Sequence, residues 1–188
     1  ATDRLQQVHR MKKKLVTEMG RICREEFVDA DKLPLTVVVD NVRSLHNVGS
    51  IFRTSDAFRV ERIVLCGITA TPPHAEIHKT ALGAEDVVEW IYEKETMDAV
   101  EQLHSDGYKV YAIEQVEESI ALQDFLVKEG EKYAVILGNE VKGVQQQVVD
   151  ACDGSIEIPQ LGTKHSLNVS VTAGLVIWEF ACKMGWVK

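Results

Sequence analysis

Paired cysteines, long apolar runs and glycine-rich nucleotide loops are all missing from this sequence. Its four cysteines, Cys23, Cys66, Cys152 and Cys182, are scattered, with no CxxC spacing among them. That argues against a zinc site or a disulfide framework and fits a reducing compartment. No apolar run approaches the ~18 residues that a membrane span needs. The opening stretch, ATDRLQQVHRMKKKLV, is too charged for a signal peptide. The expectation is a soluble, cytoplasmic protein with no membrane partner and no metal. Neither GxGxxG nor a P-loop pattern is present, so a dinucleotide or nucleoside-triphosphate site of the usual kind has no support.

What is present is an ordinary globular composition, 45% hydrophobic. A chain of 188 residues can bury a sizeable core without cross-links. The net charge of −8 argues against a nucleic-acid partner when taken alone, but it is unevenly spread. Residues 1–24 carry Arg4, Arg10, Lys12, Lys13, Lys14, Arg21 and Arg24 against Asp3 and Glu18, a net +5 that leaves −13 on the remainder. A basic arm on an acidic body can contact phosphates locally; it can also be a solvated helix face.

Leu5, Val8, Met11, Leu15, Met19 and Ile22 recur at threes and fours. This spacing predicts an amphipathic helix over 4–27, within an N-terminal extension of residues 1–30. From Pro34 the pattern alternates. Strands are expected at 35–40, 62–67, 87–93, 108–115, 132–139 and 154–159. Helices are expected at 49–59, 75–84, 96–107, 120–130, 144–153 and from Ser166 to Met184. Such alternation over 31–188 implies an α/β domain with a mostly parallel, six-stranded sheet flanked by helices. Ligands in such sheets bind beyond the carboxyl ends of the strands.

Three strand exits stand out. DNVRSLHNVGSIFRTSDAF (40–58) sets Asn47 before a helix and Arg53 on its first turns. Asn47 there reads as an N-cap, and Arg53 as a partner of Asp56 or of solvent, or as a grip on an anion or hydroxyl. VILGNEVKGV (135–144) holds Gly138 and Glu140, where glycine serves either a turn or the approach of a ligand. GTKHSLNVSVTAGLVIWE (162–179) starts polar and turns apolar. Ser166 is a candidate cap for the last helix, with Val169 where a capping box would want Glu or Gln. Capping by Ser166 leaves Asn168 and the preceding Gly-Thr-Lys-His run unexplained.

Taken together, HNVGSIFRTSDAF, VILGNEVKGV and IPQLGTKHSLNVSV resemble, in order, the three motifs of the SpoU/TrmH family of RNA methyltransferases, within the SPOUT superfamily. The resemblance spans roughly residues 35–184. It implies a C-terminal deep trefoil knot, which no periodicity predicts and which base rates oppose. It implies S-adenosyl-L-methionine as cofactor, held largely by backbone at Gly138, Ile158 and Leu167. The reaction would be methyl transfer to a ribose 2′-oxygen of tRNA or rRNA, in a homodimer with the active site at the subunit interface. Carried over by motif, Asn47, Arg53, Glu140, Ser166 and Asn168 become the catalytic set. Arginine is effectively always protonated. Arg53 would therefore either accept the ribose proton with help from an RNA phosphate or stabilise the developing alkoxide. His46 and His165 are further candidates for the proton. Two other readings stay open: a catalytically silent RNA-binding or assembly protein of the same fold, and an enzyme that modifies a base.

Overall fold

The computed structural model describes residues 11–187 and divides the chain into two compact units, one ending at Ala30 and one spanning Asp31–Lys188. Arg4, Leu5, Val8 and Arg10 of the expected basic helix lie outside the described residues. In the described part of the N-terminal unit, the continuous helix expected over 4–27 is replaced by two short pieces. A 3-10 turn covers Val16–Glu18, and helix α1 covers Arg24–Asp29. Gly20 separates them at φ 63, a left-handed conformation that no helix continues through. Met11, Leu15, Val16, Met19 and Ile22 are exposed, so their helical spacing has no buried face to serve. Helix α1 starts instead at a cap of its own: the Glu26 N–H reaches Cys23 Sγ, and Cys23 N–H donates to Glu26 Oε2 at 2.9 Å.

The larger unit alternates as expected, with β1 Leu33–Asp40, α2 Leu45–Ala57, β2 Val60–Cys66, α3 Ala75–Ala81, β3 Trp90–Glu93, α4 Thr96–Ser105 and β4 Tyr108–Ile113. There follow β5 Ile120–Ala121, β6 Lys132–Leu137, α5 Gln146–Ala151, β7 Gly154–Glu157 and α6 Val169–Lys183. The sheet has seven strands rather than six, in the order β3-β2-β1-β6-β4-β7-β5, and every adjacent pair among the described residues is parallel. The extra strand lies in the segment read as a helix over 120–130. There Ile120–Ala121 pairs with β7, a 3-10 turn follows at Leu122–Asp124, and Gly130 takes φ 77. Phe125 fixes this path, because its ring packs on Tyr111, Tyr133 and Phe180.

Alternate residues of the strands serve two cores. Val38, Val64, Val110, Ala112, Ala134 and Ile136 pack with Ala99, Val100 and Leu103 of α4 and Val148 of α5. Tyr111 and Tyr133 project to the opposite face and pack on each other, and Tyr133 meets Phe180 of α6. No helix among the described residues is long and apolar enough to cross a membrane.

The strand order places the site. The chain lays down β1, β2 and β3 toward one edge, then returns to build β4, β7 and β5 on the other side, with β6 between β1 and β4. Sheet order reverses there, and that is where ligand crevices open in parallel sheets. The ends are in register: Val39 lies opposite Leu137, Ala112 opposite Ile136, and Ile113 opposite Ile156. The loops after β1, β6, β4 and β7 therefore emerge side by side.

Candidate active site

A cavity of about 470 Å³ opens at the ends of β4, β6 and β7. Gly138 and Glu140 line it from the loop after β6, and Ile158, His165, Ser166 and Leu167 from the loop after β7. All three residues carried over as cofactor contacts, Gly138, Ile158 and Leu167, border this one space.

Glu140 ties the loop after β6 to the loop after β1. Its carboxylate accepts the backbone N–H of Arg43 at 3.0 Å and of Ser44 at 2.9 Å, and the Asn47 amide at 3.4 Å. Burial works to raise its pKa, but the N–H groups of Arg43 and Ser44 outweigh that and hold the carboxyl below its ordinary value. Asn47 also accepts from Asn168 Nδ2 at 3.3 Å. Glu140, Asn47 and Asn168, one from each motif, thus form one hydrogen-bonded relay.

Both capping expectations are corrected. Asn47 is not the cap of α2: Ser44 is, its side chain accepting the Asn47 N–H at 3.2 Å, which leaves the Asn47 amide free for the relay. Ser166 is not the cap of α6, which begins at Val169 rather than Ser166. Asn168 caps it, with Oδ1 accepting the N–H groups of Ser170 at 2.9 Å and Val171 at 3.3 Å and the Ser170 hydroxyl at 2.6 Å. Asparagine is as good an N-cap as serine, so a pattern holding both could not say which served.

Arg53 also sits differently. Helix α2 starts at Leu45, not Gly49, so Arg53 lies on its third turn, about 9 Å along the axis from Asn47. It is exposed, its side chain forms no hydrogen bond or ion pair among the described residues, and it is not part of the cavity lining. His46 is committed elsewhere, 2.8 Å from Glu76 Oε2. His165 remains at the cavity.

Gly138 serves its own loop. The chain turns back so closely that a Cβ there would lie 2.3 Å from Gly143 C and Val144 N. Asn139 and Gly143 exchange both backbone hydrogen bonds, at 3.0 and 2.9 Å.

Two features escaped the sequence reading. Asp40, fully buried at the end of β1, accepts from Thr96 Oγ1 at 2.6 Å, Gln145 Nε2 at 3.0 Å, Asn41 Nδ2 at 3.0 Å and the Gln145 N–H at 3.2 Å. An aspartate closing an apolar strand was the available signal. The second is the exit of β4, where Glu114, Gln115 and Val116 line the cavity; a polar pair ending YKVYAIEQ was the only hint.

A profile of the SpoU rRNA Methylase family matches residues 34–178. The chain belongs to that family. It is 33% identical over 167 residues to the tRNA (guanosine(18)-2′-O)-methyltransferase of Thermus thermophilus, covering 87% of this chain and 82% of that one. It is 30% identical over 146 residues to the 23S rRNA (guanosine-2′-O-)-methyltransferase RlmB of Neisseria meningitidis, covering 78% of this chain but 57% of the relative. It thus spans only about three fifths of the length of several curated relatives. The A. aeolicus TrmH/SpoU tRNA modifying enzyme superimposes with a TM-score of 0.75 at 26% identity, covering 87% of this chain and 81% of that one.

Proposed function

We propose that this SpoU-family chain transfers a methyl group from S-adenosyl-L-methionine to a ribose 2′-oxygen of tRNA or rRNA. The observation that carries the reading is that the second and third motif loops wall one cavity and are tied to the first by the Glu140–Asn47–Asn168 relay. The Thermus and Neisseria relatives, whose names state guanosine 2′-O-methylation of tRNA and of rRNA, support this substrate class.

The cavity suits the cofactor. Its volume falls in the range of small-molecule sites, about 300–1,000 Å³. Ile113, Leu137, Ile158 and Leu167 offer apolar surface for a purine, and Glu157 offers a carboxylate to its cationic sulfonium or amine. The bound cofactor supplies a methyl group already activated for displacement, so the protein's task is alignment and removal of the ribose proton. In this reading Gly138, Ile158 and Leu167 contact the cofactor. Glu140, Asn47 and Asn168 hold the loops in register, and Ser166 faces the reacting groups. Arg53 stabilises the developing alkoxide, and His165, at the cavity, is the better placed histidine to take the proton.

Arg53 stands outside its own chain's cavity, as a site completed by a second copy requires. Helix α6 supplies a face for that copy: Val171, Leu175 and Trp178 form an exposed apolar stripe at i, i+4 and i+7. A homodimer with a shared active site is therefore part of the proposal, as are the family's C-terminal trefoil knot and a cytoplasmic location.

The test is transfer of labelled methyl from S-adenosylmethionine to unmodified tRNA and, separately, rRNA, followed by nucleoside analysis. A 2′-O-methylated nucleoside in one pool is the expected result. A methylated base would redirect the reading to base modification, and cofactor binding without transfer to a silent member of the fold. Arg53→Ala should lower the rate by at least about a hundredfold and leave S-adenosylhomocysteine affinity by calorimetry within about twofold. A large loss of affinity would instead make Arg53 a cofactor ligand.

A further inference from the structure

The third loop at the cavity, after β4, belongs to none of the three motifs, yet it connects to two of them. Its backbone is fixed from β7: Glu114 N–H donates to Ile156 O at 3.1 Å, and Ser155 Oγ donates to Glu114 O at 2.8 Å. From that base the two side chains reach in opposite directions. Glu114 Oε2 accepts the Val144 N–H at 3.0 Å, in the loop after β6. Gln115 Nε2 donates to His165 O at 3.3 Å, in the loop after β7.

The first contact is built into the chain. Val144 is buried, so its N–H needs an acceptor from inside the protein. Gly143 takes φ 68, and a Cβ there would lie 2.2 Å from Glu114 Oε2. The glycine therefore serves the approach of this carboxylate as well as the turn. Glu114 Oε1 is occupied by the Gln115 N–H at 2.9 Å, which fixes the carboxylate plane. Without this pair the loop after β7 keeps, among the described residues, only the Asn168 link to Asn47.

We propose that Glu114 and Gln115 are positioning residues that hold the two cofactor-contacting loops at the spacing S-adenosylmethionine requires. The proposal rests on the methyltransferase reading above. In Glu114→Gln one acceptor becomes an amide donor facing an N–H, so one of the two fixed contacts is lost. Glu114→Gln should weaken S-adenosylhomocysteine binding by about tenfold, the size expected for a charge-assisted hydrogen bond. The KM for S-adenosylmethionine should rise in step, with kcat and the KM for tRNA within about twofold. Amide exchange should quicken at Val144 more than in the sheet. Gln115→Ala leaves the Val144 N–H served and should weaken binding by about threefold, with faster exchange confined to residues 161–168. It carries the test should Glu114→Gln not fold.

The experiment is calorimetry with S-adenosylhomocysteine on the full chain and both variants, with hydrogen exchange and steady-state kinetics alongside. Unchanged affinity in the variants, or losses shared equally by cofactor and tRNA, would overturn the positioning role while leaving the methyltransferase reading intact. A wild-type chain that binds no S-adenosylhomocysteine would overturn both.

Discussion

The two loops that wall the cavity are built in opposite ways. The loop after β6 is stitched down along its length. Asn139 donates to Asn41 O at 2.7 Å, and its Oδ1 accepts the N–H groups of Val141 and Lys142. Glu140 holds the loop after β1, Val144 is held by Glu114, and Gln145 is anchored on buried Asp40. The loop after β7 is nearly bare, with every residue from Leu161 to Asn168 exposed. It meets the rest of the chain through one backbone carbonyl and one asparagine. One wall is held by many hydrogen bonds and the other by few. Under the proposed methyl transfer, the fixed wall would set the alignment of the reacting groups, and the exposed one would leave room for a bulky substrate.

The largest effect should come from removing the anchor of the stitched wall. Asp40→Ala would leave buried donors on Thr96 and Gln145 without an acceptor, at a cost of about 3 kcal/mol. A chemical denaturation midpoint unchanged from wild type would show that the wall does not depend on β1. Next is Glu140→Gln, which keeps the shape but weakens the grip on Arg43 and Ser44. S-adenosylhomocysteine affinity should fall by about tenfold while the denaturation midpoint moves little. The pH dependence follows from the same contacts. A carboxyl whose pKa is lowered in the folded state stabilises that state above its unfolded value, 4.5, and loses the effect as pH falls through the lower folded value. The Glu140 contribution should thus be constant from neutral pH to about 4.5, decline below it, and vanish once pH is under the lowered folded value. Thermal unfolding scans of wild type and Glu140→Gln should run parallel above that point and converge beneath it.

Much of this was readable from residues alone, and the exceptions share a cause. The runs LTVVVD and KYAVIL declare buried parallel strands, because β-branched residues on both faces suit a sheet covered twice. The motif loops follow, since they lie at the ends of those strands. Register among strands distant in sequence is what stayed hidden. Asn47 looked like a cap because nothing local shows that Glu140 and Asn168 will stand on either side of it. Glu114 carried no motif, and its use depends on β4 lying beside β6. The 120–130 segment looked helical because Phe125 and Leu122 have helical spacing, whereas their burial comes from aromatic neighbours in β4, β6 and α6. Over its described residues the basic arm departs from one helix for a simpler reason, in that periodicity implies a helix only when a partner buries the stripe.

The smallest effect addresses the bare wall and separates two neighbouring polar residues. Asn168 both caps α6 and links the loop to Asn47. Asn168→Ala should cost about 1 kcal/mol of stability, the usual value of an N-cap, and should weaken cofactor binding modestly. Ser166 lines the cavity without capping anything. Ser166→Ala should leave stability within about 0.5 kcal/mol, as surface substitutions generally do, and lower the rate of methyl transfer. Paired denaturation curves and rate measurements decide the matter. A Ser166→Ala chain destabilised as much as Asn168→Ala would mean that the loop folds further along than Asn168, and that the bare wall is held more firmly than its few hydrogen bonds imply.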